Sequence, residues 1–216
     1  MTEELLKEKL DQLGKLLKAH PDKGMAMMKA DNAAIFPLDF LAVAVYKRSM
    51  SLISGFTVMI ESKNFICAAP LVRLQLDNAL RFYATSLVDK PHDLAIDFIG
   101  GKQIKEFRDK ENGKKLTDFY LVEKLSEKFD WITKVYKETS GYIHLSEKHF
   151  FNATKINSFK PGFIINVGIE DSLITIENRI EAIETMIAIT NVVLWLLDSW
   201  TYTKETVGVK KMKNKL

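Results

Sequence analysis

The strongest constraint on this chain lies toward its C-terminal end, where apolar residues recur in two helical phases at once. Over about 173–205, Ile176, Ile180, Ile183, Ile187, Leu194 and Leu197 line one face of a helix. Met186, Ile189, Val193, Leu196 and Trp200 line an adjacent face. A helix that is apolar on two faces has to be contacted from two sides, so it belongs at the centre of a bundle. Its most apolar stretch, Met186 to Leu197, is twelve residues long with Thr190 and Asn191 inside. A bilayer crossing needs about 20 apolar residues, so a core helix is expected and a membrane span is not.

The rest of the chain reads as partners for that helix. Leu6, Leu10, Leu13 and Leu17 recur at helical spacing, predicting a helix over 3–19 that His20-Pro21 ends, with irregular or only briefly helical chain over 21–36. Pro37 suits the first turn of a helix over 38–62. A further helix is expected over 65–87, starting near Pro70 or kinked there. A short helix over 92–99 is closed by Gly100-Gly101, and 102–115 is polar enough to be a mobile loop. Thr117 is a plausible N-cap for a helix over 117–138, whose stripe is Leu121, Leu125, Phe129, Ile132 and Tyr136. Lys160-Pro161-Gly162 signals a turn, and the β-favouring run Phe163 to Val167 after it predicts a small hairpin near 155–169. The expected fold is all-α: a bundle of about five main helices with that hairpin inserted. Residues 1–205 form one helical domain and 206–216 a basic, flexible tail.

Charge and composition exclude several classes. Of the 216 residues, 47% are hydrophobic and 27% charged, which is globular and not disordered. The formal net charge of +3 is too small to indicate nucleic-acid binding by itself. Part of that excess is the run Lys204, Lys210, Lys211, Lys213 and Lys215, read as a solvated tail or a weak contact with RNA or an anionic surface. The single cysteine, Cys67, sits among apolar neighbours and reads as a buried structural thiol in a reducing cytoplasm. No secretory signal opens the sequence. It contains no glycine-rich phosphate loop, no zinc spacing, no Gly-x-Ser-x-Gly elbow and no Glu-x-x-His pair, so neither a cofactor nor a metal is expected.

Two polar clusters stand out against this background. Arg73 and Asp77 are four residues apart, share a helix face and are expected to pair, with Glu61 of the preceding helix as a second partner. The pair would fix helix register or hold a guanidinium ready for a phosphate or carboxylate. Tyr136, Ser140 and His144 form one stripe if a helix continues through Gly141. His144 then reads as a packed core histidine, or as an acid, base or donor where the helix breaks. His92 and His149 read as surface residues.

Taken together, Arg73 with Asp77 and the segment Ser140-Gly141-Tyr142-Ile143-His144 resemble uncharacterised bacterial helical-bundle families allied to the HEPN superfamily. The resemblance covers the 40–200 region in outline and about a dozen residues in detail. It implies a helical bundle and, as one alternative, an RNA-binding protein or ribonuclease of bacterial defence or toxin–antitoxin systems. The pattern departs from HEPN ribonucleases at one point. None of the five arginines (48, 73, 81, 108 and 179) is followed four to six residues on by His, so the resemblance implies fold more than activity. The leading expectation is a non-catalytic domain that binds a partner or small ligand as a homodimer.

Overall fold

The computed structural model describes residues 2–144, 146–156 and 161–213, the last seven of them by backbone alone. Four long helices form the core: α1 (Glu3–Ala33), α2 (Pro37–Glu61), α3 (Phe65–Tyr83) and α8 (Ile176–Lys213). They pack in a ring, α1 on α2, α2 on α3, α3 on α8 and α8 back on α1. The shorter α4 (Pro91–Ile99) lies on α2, while α5 (Asp118–Ser126) and α6 (Ile132–Ser140) lie on α3. After α7 (Glu147–Ala153), strands β1 (Thr154–Ile156) and β2 (Phe163–Ile165) pair antiparallel, Thr154 opposite Ile165 and Ile156 opposite Phe163. This is the all-α bundle with a small hairpin that the sequence predicts. Of the expected turn, Lys160 lies outside the described residues.

The two-faced helix takes the central position its sequence demands. Ile180, Ile183, Met186, Ile189, Val193 and Leu197 of α8 are all buried. By length and hydropathy α8 would suffice to cross a membrane, but most of that stretch is buried inside the bundle. Its helical backbone continues through Lys213, past the expected end at 205, and residues 214–216 lie outside the described residues.

Several expectations from the sequence are corrected. Pro21 does not end α1, whose helical geometry holds until Ala30, where Asp31, Asn32 and Ala33 turn left-handed. A mid-helix Pro costs about 3 kcal/mol, which local sequence cannot offset. Tertiary contacts do: Leu13, His20 and Met27, on either side of Pro21, are all fully buried. The helix expected over 117–138 breaks at 127–131 instead, although its apolar stripe stays in phase across the break. Phe129 turns in there to meet Trp195 edge-to-face at 5.5 Å. The 102–115 segment is pinned rather than loose, because Asp109 is buried and accepts from the Glu111 amide and the Tyr120 hydroxyl, both at 2.7 Å. Cys67 is exposed, on the outward side of the first turn of α3.

A layer of polar side chains crosses the apolar centre. His20 (α1), Ser49 (α2), Gln75 (α3) and Thr190 (α8) are each fully buried, one from every core helix. The Leu16 carbonyl can only accept, so His20 Nδ1 carries the proton and donates to it at 2.7 Å. His20 Nε2 is then the acceptor for the Ser49 hydroxyl at 2.8 Å. Gln75 Nε2 donates to both Ser49 Oγ (2.7 Å) and Thr190 Oγ1 (3.1 Å). Nothing in this layer is left unpaired, as a buried polar network requires.

A second buried polar knot lies near the start of α2. Lys204, expected in a solvated tail, has no exposed side-chain area and reaches Asp39 Oδ2 at 3.0 Å and the Met27 carbonyl at 2.9 Å. Asp39 also accepts from the Phe36 amide and from Trp200 Nε1, both at 2.8 Å. The lysine run thus begins on the inward face of α8, where its first member closes the C-terminal part of α1 on the N-terminus of α2.

Two stability experiments follow. Lys204→Met leaves Asp39 buried without its cation, so it is expected to cost about 3–5 kcal/mol in urea unfolding, part of which Lys204→Met/Asp39→Leu restores. A loss of under about 1 kcal/mol would show that the pair is not an anchor. Burial pushes the His20 pKa below its ordinary 6.5, against the pull of the Leu16 carbonyl and with help from Lys23. The unfolded chain therefore binds more protons than the fold as pH drops, and His20 contributes its full stability only above about pH 6.5. Urea midpoints should decline below that pH, and His20→Gln should flatten that part of the decline.

Candidate functional site

From the Gln75 layer a hydrogen-bonded chain runs outward to a cluster of arginines. Asn78 Nδ2 donates to Gln75 Oε1 at 2.9 Å, and Arg48 Nη1 donates to Asn78 Oδ1 at 2.7 Å. Arg48 also holds Asp77 at 2.9 Å. Every donor in this series points inward, from the half-exposed guanidinium of Arg48 to the ring of His20.

The expected Arg73–Asp77 pair is not formed. Asp77 binds Arg48 and, at 3.0 Å, Arg81. Arg81 continues to Asp118 at 2.6 Å, and Arg73 reaches the other oxygen of Asp118 at 3.6 Å while lying 4.4 Å over the Tyr136 ring. An acid stabilises a helix better with its base four residues on than four residues back, which favours Arg81 over Arg73. That orientation was available in the sequence. The contributions of Arg48 and Asp118, from α2 and α5, were not. Glu61 is exposed at the end of α2 and takes no part in the cluster. Three guanidiniums thus share two carboxylates, which leaves the cluster one positive charge in excess, with Arg73 the least exposed.

The second expected cluster comes apart at Gly141. The helix stops at Ser140, so Tyr136, Ser140 and His144 do not share a helical stripe. Ser140 Oγ turns back onto the Tyr136 carbonyl at 2.5 Å, and His144 is exposed rather than packed, with no polar or ring partner among the described residues. A Cβ at Gly141 would sit 2.9 Å from Lys148 Cδ, so the glycine admits the Lys148 side chain as the chain turns into α7. His149 is half-buried, capping α7 by accepting from the Ser146 amide, and His92 stacks on Phe36 at 5.5 Å, so neither is a plain surface residue. A cleft of about 250 Å³ opens beside this turn, floored by Phe65, Val72 and Val135 with Glu138 and Glu181 among its walls. Burial, and then these two carboxylates, push the Tyr142 hydroxyl above the ordinary tyrosine pKa.

Beyond Gly141 the character of the surface changes. From Phe150 to Ile169 the chain carries Phe150, Phe151, Ile156, Phe163, Ile165, Val167 and Ile169, all largely exposed, Val167 by 94% and Ile169 by 85%. The return leg is anchored where Asp171, itself buried, accepts from the Ile66 amide at 2.9 Å and donates its own amide to the Lys63 carbonyl. The hairpin is therefore an apolar arm tied to the bundle where α2 ends and α3 begins.

No family model, no curated protein and no solved structure matches this chain. The site residues accordingly stand on geometry alone.

The two polar clusters should respond differently to substitution. Asp118→Ala frees both Arg73 and Arg81 from one acceptor and is expected to cost about 1–2 kcal/mol, read as a lower thermal midpoint. His144→Ala should stay within about 0.5 kcal/mol of wild type. The reverse order would mean that His144 carries a contact that Asp118 does not.

Proposed function

We propose that this protein is a non-catalytic helical domain that pairs with a second copy of itself through its apolar arm. The observation that carries this reading is the exposure of the arm: a two-stranded hairpin is at best marginally stable alone in water. Burying one Ile or Phe contributes about 1.5–3 kcal/mol, so the arm leaves a large stabilisation unused until something covers it.

A second open apolar surface supplies the complement. Phe40 and Leu41 of α2 and Ile96 and Ile99 of α4 border a groove of about 530 Å³, with Phe40 and Ile99 each 60% exposed. The groove is at the start of α2 and the arm is anchored past its end. A helix of 25 residues separates the two by about 37 Å, too far for the arm to fill its own groove. Exchange of arms between two copies satisfies both surfaces and closes the assembly. The exposed Cys67 thiol fits a reducing cytoplasm.

The ribonuclease alternative has less support. Arg73 is taken up by Asp118 and Tyr136, and His144 stands apart from those contacts.

Light scattering on the purified chain should give the mass of a dimer. Phe163→Ser/Ile165→Ser in the arm and Phe40→Asp/Ile96→Asp in the groove should each give folded monomers with an unchanged helical spectrum. A strictly monomeric wild type, or a dimer that survives both pairs of changes, would rule the reading out.

A further inference from the structure

Another cleft lies on the side of the bundle where Trp195 and Trp200 emerge from α8. It encloses about 460 Å³ between α8, the end of α3 with the 3₁₀ turn after it (Ala84–Leu87), and the 109–111 turn. The sequence explains why space remains there. Ser199 and Thr203 on α8 face Thr85 and Ser86 across the gap, and these four small side chains do not fill it. Their hydroxyls are spent on local carbonyls: Ser199 on Trp195, Thr203 on Ser199, Thr85 on Phe82 and Ser86 on Tyr83, at 2.7–2.8 Å. Their protons are therefore not free for a ligand, and the cleft's size lies in the range of small-molecule sites.

The walls are aromatic and of two kinds. Trp200 is fixed, its Nε1 donating to Asp39 and its ring edge-on to His92 at 5.5 Å. Trp195 is 43% exposed and meets Phe129 edge-to-face. Two lysines stand at the rim. Lys128 Nζ lies 6.0 Å over the Trp195 ring and makes no ion pair among the described residues. Lys110 Nζ is 3.1 Å from the Ser86 carbonyl and likewise has no carboxylate partner. Two acids also line the cleft. Asp109 has both oxygens occupied, by the Glu111 amide and the Tyr120 hydroxyl, which leaves Glu111 as the acid competing for the lysines.

We propose that this cleft binds a small planar aromatic anion, its ring against Trp195 and Trp200 and its carboxylate at Lys110 and Lys128. Aromatic faces reward a flat ring, and an ammonium beside an indole is already placed where a carboxylate attached to that ring would reach it. The proposal uses no residue of the arm or of the α2–α4 groove, so it stands or falls separately from self-association.

Isothermal titration of the full chain with naphthoate, naphthyl methanol and naphthyl methylamine tests both halves. Naphthoate is expected to bind at one site per chain, about threefold to tenfold tighter than the alcohol, with the amine weakest. Lys110→Ala/Lys128→Ala should erase the preference for the acid while leaving the alcohol unchanged, and Glu111→Gln should tighten the acid. Ser199→Phe, which fills the cleft from an exposed position of α8, should abolish binding of all three with the thermal midpoint retained. Phe163→Ser/Ile165→Ser should leave binding intact. Absence of binding, equal affinity for acid and amine, persistence in Ser199→Phe, or loss in the arm variant would each overturn the proposal.

Discussion

The fold depends on a polar layer set across an apolar bundle. His20, Ser49, Gln75 and Thr190 come one from each core helix, and each satisfies the next. Sliding one helix by a residue would leave several of these groups buried and unpaired, at about 1–3 kcal/mol apiece. Leucines and isoleucines tolerate such slips far better, because apolar attraction has no direction. The layer therefore sets helix register, while the surrounding Leu13, Ile53, Leu76 and Ile183 supply the bulk of the burial. It also accounts for α1 running through Pro21, since His20 can join the layer only if the helix is intact on both sides.

How much of this was legible in the sequence follows from the range of each interaction. The central role of α8 was written in its own periodicity, and so were the proline that opens α2 and the hairpin after Ala153. These depend on neighbours a few residues away. The Lys204–Asp39 pair joins residues 165 apart in sequence, and no pattern near Lys204 distinguishes it from the lysines that follow. The break at 127–131 was hidden for a different reason: Phe129 keeps the helical phase of the stripe although the backbone there is not helical.

The candidate site shows the same division. Asp77 lies midway between Arg73 and Arg81, and only the orientation preference of helical ion pairs separates them. Asp118 then decides the matter from another helix, by drawing Arg81 and Arg73 to its two oxygens. The sequence left open whether the helix continues through Gly141; it stops at Ser140, and Gly141 serves the close approach of Lys148. What the chain displays to solvent is more apolar than its composition alone would show.

The tie between α2 and α8 also bears on how the molecule is made. Asp39 lies early in the chain, and its cation comes from near the end of the last described helix, which also packs along α1. During synthesis α1 and α2 must wait with a carboxylate that cannot be buried until Lys204 emerges. Contacts this distant along the chain close late and slowly. The N-terminal half thus completes its packing only once its own C-terminal helix has formed, which makes the last part of the chain a condition for settling the first.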